Sequence, residues 1–519
     1  MKKAILASFL LPFLIGTSVA FAEAPYCSSV FTEYKGSPFK ESEGHPIPEG
    51  AALKVALKEQ KEALKVSRFV MDAMTRESDA LKAELNGKTL ELDVLCVGAG
   101  PQCAAASLVL GKVGVRALVL EKTEYVAKTF AEKDFYINSV EGKYVSMHDF
   151  PGGVGSLANL TSSLYAHSSQ LATHIQSQQY ASGVPVLLNT RALSVERIQV
   201  SGHTELLITT DQGITIRAKN LLLGTGLGEI GTKVKDVEYQ KAFAEYHAES
   251  AETPGLKPIM SVDSFLVAVK SARLQKQGVR LPRDIILIGN GDGSRIAIEA
   301  FSDKNVTIPV GFKTHWIGNT FKTAAEYTES QGSWDRYLPK IIPQYDAGRI
   351  TGLAGHVDKV EFLPDSRYRV TAKDSKTGQV GAVEGDMIID CTGYTNKNNE
   401  LLANLLISPE MIDVLGPLHE LRLSSTVLAR QYREAGGSEV PVYAIGSSAG
   451  ALAADWELVG SPNKNPVAIF NTAARTSAFV SQLLGTKSLA SVRGVREHRP
   501  AVKSAKTLIA ELKKARKHK

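Results

Sequence analysis

The clearest pattern of apolar and polar residues is a pair of short, almost continuous apolar runs on either side of a small-residue segment. The first run, Leu92–Val97, leads into Gly98 and Gly100, and the second run is Arg116–Leu120. Apolar runs of this length are typical of parallel strands buried on both faces. The segment between them, Gln102–Lys112, is rich in alanine and predicts a helix. The pattern therefore predicts a strand–turn–helix–strand unit of a parallel α/β domain.

The turn of this unit is suited to a dinucleotide. Gly98 permits a tight turn, and Gly100 lets a pyrophosphate approach the backbone beside the free N–H groups of a helix N-terminus. Glu121 lies 23 positions after Gly98, where a carboxylate accepts ribose hydroxyls. The third small position is Cys103 rather than glycine, which leaves less room between helix and strand. We predict a dinucleotide site at Gly98, Gly100, Cys103 and Glu121; the alternative is a glycine turn without a ligand.

A second unit of the same kind follows later in the chain. The strand Asp284–Ile288 runs into Gly289 and Gly291, and the next apolar run, Val306–Val310, is followed by Lys313 instead of an acid. A cation at that point can hold the extra phosphate of NADP, whereas an acid favours NAD. The alternative is a retained fold without a ligand. The predicted residues of this second site are Gly289, Gly291, Ser294 and Lys313.

The remaining strands fall into two groups. A stretch of alternating pattern predicts a β-meander with strands at Val184–Asn189, Leu193–Ile198, Thr204–Thr210 and Ile214–Ala218. Three further apolar runs lead into glycine, and they are Asn220–Gly226, Gly385–Tyr394 and Val440–Gly450.

An amphipathic helix precedes the first unit. From Ala51 to Leu85 the apolar residues recur at helical spacing, and Gly87 supplies a stop signal. This stripe predicts packing against the nucleotide fold, or alternatively an oligomer seam. Its members are Leu57, Leu64, Met71, Met74, Leu81 and Leu85.

Composition narrows the class of protein. The 519 residues are 44% hydrophobic and 22% charged, which suits a globular protein of two or three domains. The four cysteines form no CxxC pair and no Cys/His metal spacing, which argues against a dithiol reductase and predicts no metal site.

The net charge of +6 is concentrated at the C-terminus. Residues 491–519 carry ten Lys or Arg against two Glu, an excess of +8, so the rest of the chain sums to −2. Leu508, Ile509, Leu512 and Ala515 form a narrow apolar face among these cations. The face predicts either peripheral contact with an anionic membrane, or a solvated terminal helix or disordered tail. We expect no nucleic-acid partner.

The N-terminus has the pattern of a secretory signal. Lys2 and Lys3 precede the uncharged run Ala4–Ala22, which ends in a small-x-small cleavage site before Glu23. The alternative is an uncleaved membrane anchor. We therefore expect a periplasmic or secreted protein.

The ordered motifs resemble those of the two-dinucleotide-binding-domain flavoproteins, which include flavin-containing monooxygenases, N-hydroxylating monooxygenases and thioredoxin reductase-like proteins. Two glycine turns are followed by strands entering Thr225-Gly226 and Thr392-Gly393, and a late strand ends at Gly446. The resemblance implies FAD at Gly98, Gly100 and Glu121, NAD(P)H at Gly289, Gly291 and Ser294, and a late-strand contact at Gly446. The cation Lys313 independently favours NADPH.

Three departures leave the subfamily open. Gly446 is followed by Ser447, where many relatives have an acid that binds the flavin's ribityl chain. The surroundings of His247 do not match the monooxygenase fingerprint between the two units. The redox dithiol of thioredoxin reductases is also missing.

We therefore expect an α/β protein with two Rossmann-like domains, FAD- and NAD(P)-binding, a β-meander and an N-terminal helical extension. The expected division is a signal peptide at 1–22, a lead-in and helical extension at 23–90, an FAD domain at 91–260 and 397–490, an NAD(P) domain at 261–396, and a basic tail at 491–519.

The resemblance implies an FAD-dependent oxidoreductase, monooxygenase-like, that passes electrons from NAD(P)H to oxygen and a small substrate. One alternative is a membrane-associated electron-transfer flavoprotein linked to NAD(P)H or quinone. Another is a non-catalytic nucleotide-binding scaffold. The flavin carries the chemistry in such enzymes, so we assign no catalytic side chain.

The signal pattern generates a first prediction. Cell fractionation with N-terminal sequencing should find a mature chain that starts near Glu23 outside the cytoplasm. Recovery of intact Met1 in the soluble cytoplasmic fraction would contradict the export hypothesis.

Overall fold

The computed structural model describes residues 50–518, except 86, 134, 137–149, 151, 164–165, 227, 253–254, 290, 304, 319–340, 342, 345, 396–397, 417–425, 450–467 and 487–500. The predicted signal segment at 1–22 lies outside the described residues.

Helices pack against both of the larger sheets of the protein. The helices are α1 Gly50–Leu85, α2 Pro101–Val113, α3 Lys128–Glu132, α4 Ser168–Ser182, α5 Val237–Glu252, α6 Val262–Leu274, α7 Asp292–Ala300, α8 Asn398–Leu401, α9 Ala468–Leu483 and α10 Ala505–Lys517.

The strands fall into two larger parallel or mixed sheets and three smaller ones. The strands before the second sheet are β1 Thr89–Val97, β2 Ala117–Leu120, β3 Val186–Leu187, β4 Ala192–Val200, β5 His203–Thr210, β6 Thr215–Leu223 and β7 Glu229–Ile230. Those of the middle region are β8 Ile259–Ser261, β9 Val279–Arg280, β10 Asp284–Ile288, β11 Val306–Thr307, β12 Lys313–Gly318, β13 Ile350–Ala354, β14 His356–Phe362, β15 Tyr368–Lys373, β16 Val380–Gly385, β17 Met387–Asp390 and β18 Tyr394–Thr395. The last strands are β19 Ile407–Gly416, β20 Thr426–Glu434 and β21 Glu439–Ala444.

The first sheet has the strand order of a Rossmann fold. Its parallel part runs β3-β2-β1-β6-β21, and β19 and β20 extend it antiparallel. In the central register Val97 is paired with both Leu120 and Leu223, so three strands end at one edge. Because ligands of such sheets bind beyond the carboxyl ends of the strands, this edge positions the first predicted site.

One long strand replaces two predicted ones. The sequence pattern separated Ile214–Ala218 from the run at Asn220–Gly226, but β6 is continuous. Its first half pairs antiparallel with β5 in the meander, while its whole length pairs parallel with β1. Lys219 and Asn220 in the middle of β6 interrupt its apolar pattern. Polar residues are accommodated there because Lys219 Nζ donates to Asp93 Oδ1 and Asn220 Nδ2 donates to Asp93 O.

The second sheet is parallel throughout and runs β13-β12-β10-β17-β8. The order β13-β12-β10-β17 matches β3-β2-β1-β6 of the first sheet, although the edge strand β8 precedes β10 in the chain, whereas β21 follows β6. The prediction of two Rossmann-like domains with a meander and an N-terminal helical extension is confirmed. The prediction of a strand at Val306–Val310 beside β10 in this sheet is wrong. Only Val306–Thr307 is extended, and it pairs with β9 in a separate ribbon, while β12 takes the place beside β10.

The second domain is inserted between the two parts of the first. Its first strand begins at Ile259, two residues before the predicted boundary at 261, and α5 packs on that strand. Two connections link the domains, and their short strands β7 and β18 pair with each other antiparallel.

Helix α1 exists as predicted, but part of its predicted apolar stripe is exposed. Leu57 is 40% exposed and Leu64 is 50% exposed, whereas Ala56 and Ala63 are buried. Residues seven apart drift around a straight helix by about 20° per heptad. In a helix as long as α1, the first members of the stripe therefore lie off the face that contacts the domain. Small residues face α4 instead, which lets the two helices approach closely.

The basic C-terminal segment ends in a helix that is docked on the first domain. Leu508 and Leu512 of α10 are buried against α1 and α4. Arg516 Nη2 lies 2.7 Å from Glu77 Oε2, and its Nη1 donates to Tyr180 O at 3.0 Å. The apolar face is therefore used inside the protein and is not available to a membrane, and the helix is neither solvated on all sides nor a disordered tail. Contact of its exposed lysines with an anionic membrane stays a prediction.

Among the described residues, none of the helices combines the length and apolar character needed to cross a membrane.

The docking of α10 generates a stability prediction. Leu512→Ala removes a buried side chain from the contact with α1 and α4, and should lower the free energy of unfolding by about 2–4 kcal/mol. Lys514→Ala on the exposed face is the control and should change it by less than about 0.5 kcal/mol. Chemical unfolding of both variants checks this, and equal stability would contradict the docking.

Candidate functional site

The first glycine turn lies where the backbone of β6 leaves no space for a side chain. Gly98 has a φ of 95°, which L-residues rarely adopt, and a Cβ there would lie 2.7 Å from Gly224 O. The turn is fixed by two bonds, from Gly98 N–H to Leu120 O at 2.8 Å and from Gly224 N–H to Val97 O at 2.9 Å. The predicted tight turn at Gly98 is therefore present.

Helix α2 begins directly after this turn and has no side-chain cap. Gly100 is its N-cap residue, and Pro101 occupies the first helical position. By contrast, α4, α6 and α10 are capped by the side chains of His167, Ser261 and Ser504. The first-turn N–H groups of an uncapped helix lack intrahelical partners and can bind an anion. A Cβ on Gly100 would come no closer than 3.9 Å to any other part of the described protein, so the space in front of the turn is open.

Glu121 lies beside the same turn and is held in place by the backbone. Its Oε2 accepts from Ala99 N–H at 2.8 Å, and its Oε1 accepts from Thr123 N–H at 3.0 Å and from Thr123 Oγ1 at 2.8 Å. Each carboxylate oxygen has two lone pairs, so these bonds leave acceptor capacity for a ribose. The structure thus brings Glu121 to Gly98 and Gly100, as the spacing predicted.

Cys103 occupies the third small position, and a glycine on the neighbouring strand makes room for it. Its thiol is fully buried, and a Cβ added to Gly224 would overlap Cys103 Sγ. The helix and strand therefore approach closely because the position without a side chain is Gly224, directly after β6, and not residue 103. The neighbouring Cys96 thiol and burial raise the pKa of Cys103 well above its usual range, so it stays protonated and unreactive.

Gly446 also reaches the first site. It lies two residues after β21, with a φ of 59°, and a Cβ there would overlap the side chain of Gln102 in the first turn of α2. Its neighbour Ser448 is buried, with its Oγ 2.5 Å from Leu223 O, which ties this segment to the end of β6.

The second glycine turn repeats the geometry of the first. Gly289 has a φ of 105°, and a Cβ there would lie 2.8 Å from Cys391 O. Gly291 is the N-cap of α7, again without a side-chain cap, and a Cβ on it would meet no described atom within 4 Å. Trp316 Nε1 donates to Gly289 O at 2.7 Å from inside the core. Ser294 is fully buried and donates to Gly291 O at 2.8 Å, so it supports the turn and does not face a ligand.

Lys313 is not at the second turn, and its predicted role is wrong. It is the first residue of β12 and pairs with Asp284 at the amino end of β10. The turn begins at the other end of β10, about 16 Å away along the strand. The hydrogen bond from Gly289 N–H to Ile317 O matches that from Gly98 N–H to Leu120 O, so Gly318 holds the position of Glu121. The second site therefore has no carboxylate at this position.

A buried carboxylate that the sequence did not reveal holds the strand end next to the second turn. Asp390 is 2% exposed and accepts from Thr232 Oγ1, Tyr239 OH and both Thr392 N–H and Oγ1 at 2.5–3.0 Å. Burial raises the pKa of Asp390, and burial beside Asp390 raises that of Tyr239 well above its usual range. This network fixes the segment that packs against Gly289.

No group of three or more His, Cys, Asp and Glu side chains that could hold a metal ion occurs within the described ranges.

No protein-family model matches the chain, and no curated protein is similar to it in sequence. Among solved structures, the chain is similar to the FAD-bound cadaverine monooxygenase from Erwinia amylovora, with 13% identity, a TM-score of 0.49 and coverage of 80% of this chain and 99% of that one. It is also similar to bacillithiol disulfide reductase from Staphylococcus aureus, with 13% identity, a TM-score of 0.48 and coverage of 76% and 99%. A third is the Kutzneria ornithine N-hydroxylase solved with reduced FAD, NADP+ and L-ornithine, with 11% identity, a TM-score of 0.47 and coverage of 76% and 100%.

The packing of Cys103 generates a prediction about size complementarity. Gly224→Ala should destabilise the protein by about 1–3 kcal/mol, because the new methyl group overlaps the buried thiol. Adding Cys103→Ala should recover most of the loss, since the two methyl positions are then 3.7 Å apart. Chemical unfolding of both variants, with Cys103→Ala alone as the control, checks this. A Gly224→Ala variant as stable as the unmodified protein would show that the approach is not tight.

Proposed function

We propose that the protein is an FAD-dependent oxidoreductase that binds FAD at the first glycine turn and a reduced nicotinamide nucleotide at the second. The observation that carries the proposal is the duplication. In each of the two larger sheets a central parallel strand runs into a glycine with a positive φ, Gly98 or Gly289, that packs on a neighbouring backbone carbonyl. Each is followed by an uncapped helix N-terminus behind Gly100 or Gly291.

The residues present fit these cofactors. Gly100 and Gly291 leave open space where only bare backbone can approach a pyrophosphate, and the helix behind each begins there without a side-chain cap. At the first site Glu121 would accept the ribose hydroxyls of FAD. At the second site Gly318 replaces that acid. An extra phosphate on the nucleotide meets no carboxylate at this position, which favours NADPH over NADH.

The chain's own residues supply binding and orientation. Bound flavin and nicotinamide would supply the hydride-transfer chemistry. Glu121 and the first turn of α2 would fix the adenosine and pyrophosphate of FAD. Asp390 and Trp316 hold the second turn through the hydrogen bonds described above. Since the flavin performs the redox chemistry, the proposal needs no side-chain nucleophile.

In its finer form, we propose a monooxygenase-like enzyme in which the electrons go to oxygen and a small organic substrate. The sequence resemblance to N-hydroxylating monooxygenases supports this form. The alternative is an electron-transfer flavoprotein that reduces a quinone. Cys103 and Ser447 depart from the flavoprotein pattern and so favour the non-catalytic scaffold. The argument from Cys103 is weakened, because Gly224 accommodates its thiol without opening the helix–strand contact.

Two glycine variants test the proposal. Gly100→Val should lower the FAD content by at least about tenfold, the effect of losing about 1.4 kcal/mol of binding free energy. Gly291→Val should retain FAD but slow flavin reduction by NADPH at least about tenfold. The measurements are flavin content and the stopped-flow reduction rate.

The geometry makes these variants informative, because neither Cβ would collide with the described protein: the one on Gly100 lies 3.9 Å from Gly224 O, and the one on Gly291 has no described atom within 4 Å. Each variant is therefore the control for the other. If Gly291→Val is reduced as fast as the unmodified protein, the second turn is not the nicotinamide site. If Gly100→Val keeps its flavin, the first turn is not the FAD site.

The electron acceptor separates the two forms of the proposal. Oxygen uptake that depends on a small amine or other organic substrate would support the monooxygenase form. Anaerobic quinone reduction by NADPH without substrate-dependent oxygen uptake would support electron transfer instead.

A further inference from the structure

A buried group of three polar side chains joins the two domains. Lys133, the residue after α3 in the first domain, places Nζ 2.6 Å from Oδ1 of Asp263 in the first turn of α6. The same Nζ donates to Tyr394 OH at 2.9 Å, and Tyr394 OH donates to Asp263 Oδ2 at 2.5 Å. We refer to Lys133, Asp263 and Tyr394 as the interdomain triad.

The triad is largely closed to solvent and bonded within itself. Lys133 is 8% exposed and Asp263 is 7% exposed, so both charges are paired away from water. Burial and the charge of Asp263 raise the pKa of Tyr394, so its hydroxyl stays a hydrogen-bond donor. Removing one partner of such a pair leaves an uncompensated buried charge, which is strongly unfavourable. The triad therefore favours one arrangement of the two domains over others.

On the first-domain side, the triad connects directly to the first glycine turn. Ala127, which precedes α3, donates its N–H to Ala99 O inside that turn at 2.9 Å. Only the five residues of α3 separate Ala127 from Lys133. Ser168 Oγ at the start of α4 donates to Lys133 O at 2.7 Å and anchors this end of the path.

On the second-domain side, the triad adjoins the second glycine turn. Val262, the neighbour of Asp263, lies against Gly293 in α7, where a Cβ would be 3.3 Å from Val262 Cγ1. Strand β8 ends one residue earlier at Ser261, paired with Asp390 at the strand edge that carries the turn. Asp263 therefore lies at the same edge of the sheet as the second site.

We infer that Lys133 is a positioning residue that, through Asp263 and Tyr394, fixes the second nucleotide site relative to the first. Contacts link Ala99 in the first turn to Gly293 behind the second without a break. The ion pair of Lys133 with Asp263 is the link that joins the two domains. This inference rests on the proposed function, because the separation of two sites matters when hydride passes from one bound nucleotide to the other. A second crossing contact, from Lys270 Nζ to Ala131 O at 2.6 Å, reaches the same helix α3.

The test removes both charges together. In Lys133→Met/Asp263→Asn no unpaired buried charge remains, and the glycine turns are unchanged. FAD content and the dissociation constant for NADP+ should stay within about twofold of the unmodified protein. The limiting rate of flavin reduction at saturating NADPH should fall about 10–100-fold, because a misplacement of about 1 Å has an effect of this size.

Lys128→Met is the matched control. Lys128 lies on the same helix and pairs with Glu124 at 3.3 Å and Glu132 at 3.1 Å inside the first domain. Its removal should leave the limiting rate unchanged. Tyr394→Phe keeps the ion pair, so its rate should lie between those of the unmodified protein and the double variant. It also serves as the test variant if the double variant does not fold.

Scanning calorimetry gives a readout that needs no turnover. The unmodified protein and Lys128→Met should unfold in one cooperative transition, and the double variant in two, because each domain has its own core. If the unmodified protein binds FAD but is not reduced by NADPH, the proposed function fails while calorimetry still decides on the coupling. Two transitions in the unmodified protein, or a double variant with unchanged rate and unfolding, would overturn the inference.

Discussion

The structure depends on the close approach of three backbone segments at the first glycine turn. The turn at Gly98, the start of α2 and the end of β6 meet where a single Cβ on Gly98 or Gly224 would collide with a neighbour. Close packing of this kind requires the register in which β1 lies between β2 and β6. It places the uncapped helix N-terminus and Glu121 around one open space, and the proposed FAD site follows from that arrangement.

The second domain reaches the same geometry with different side chains. Its glycine turn packs on Cys391 O and is held by the indole of Trp316, and its third small position is filled by Ser294, bonded back to the turn. The two glycine turns therefore share their backbone geometry, but the side chains that support them differ. What distinguishes the two sites chemically is Glu121 in the first and Gly318 at the matching position in the second.

The sequence predicted the parts of the fold that are local. Apolar runs and glycine spacing located both turns, because those signals come from residues adjacent in the chain. Contacts between distant residues were not predictable in this way. The pairing of Cys103 with Gly224 joins residues 121 positions apart, and the ion pair of Lys133 with Asp263 joins residues 130 apart. Lys313 was misplaced because the pattern put a strand at Val306–Val310, before the strand that enters the sheet.

The measurement that tests the central claim most directly is the visible spectrum of the purified protein, before and after anaerobic addition of NADPH. We expect the absorption bands of bound oxidised flavin, which should bleach when NADPH bound at the second site reduces the flavin bound at the first. A colourless protein that cannot be reconstituted with FAD would contradict the account. Flavin bands that NADPH leaves unchanged would contradict its electron-donor half.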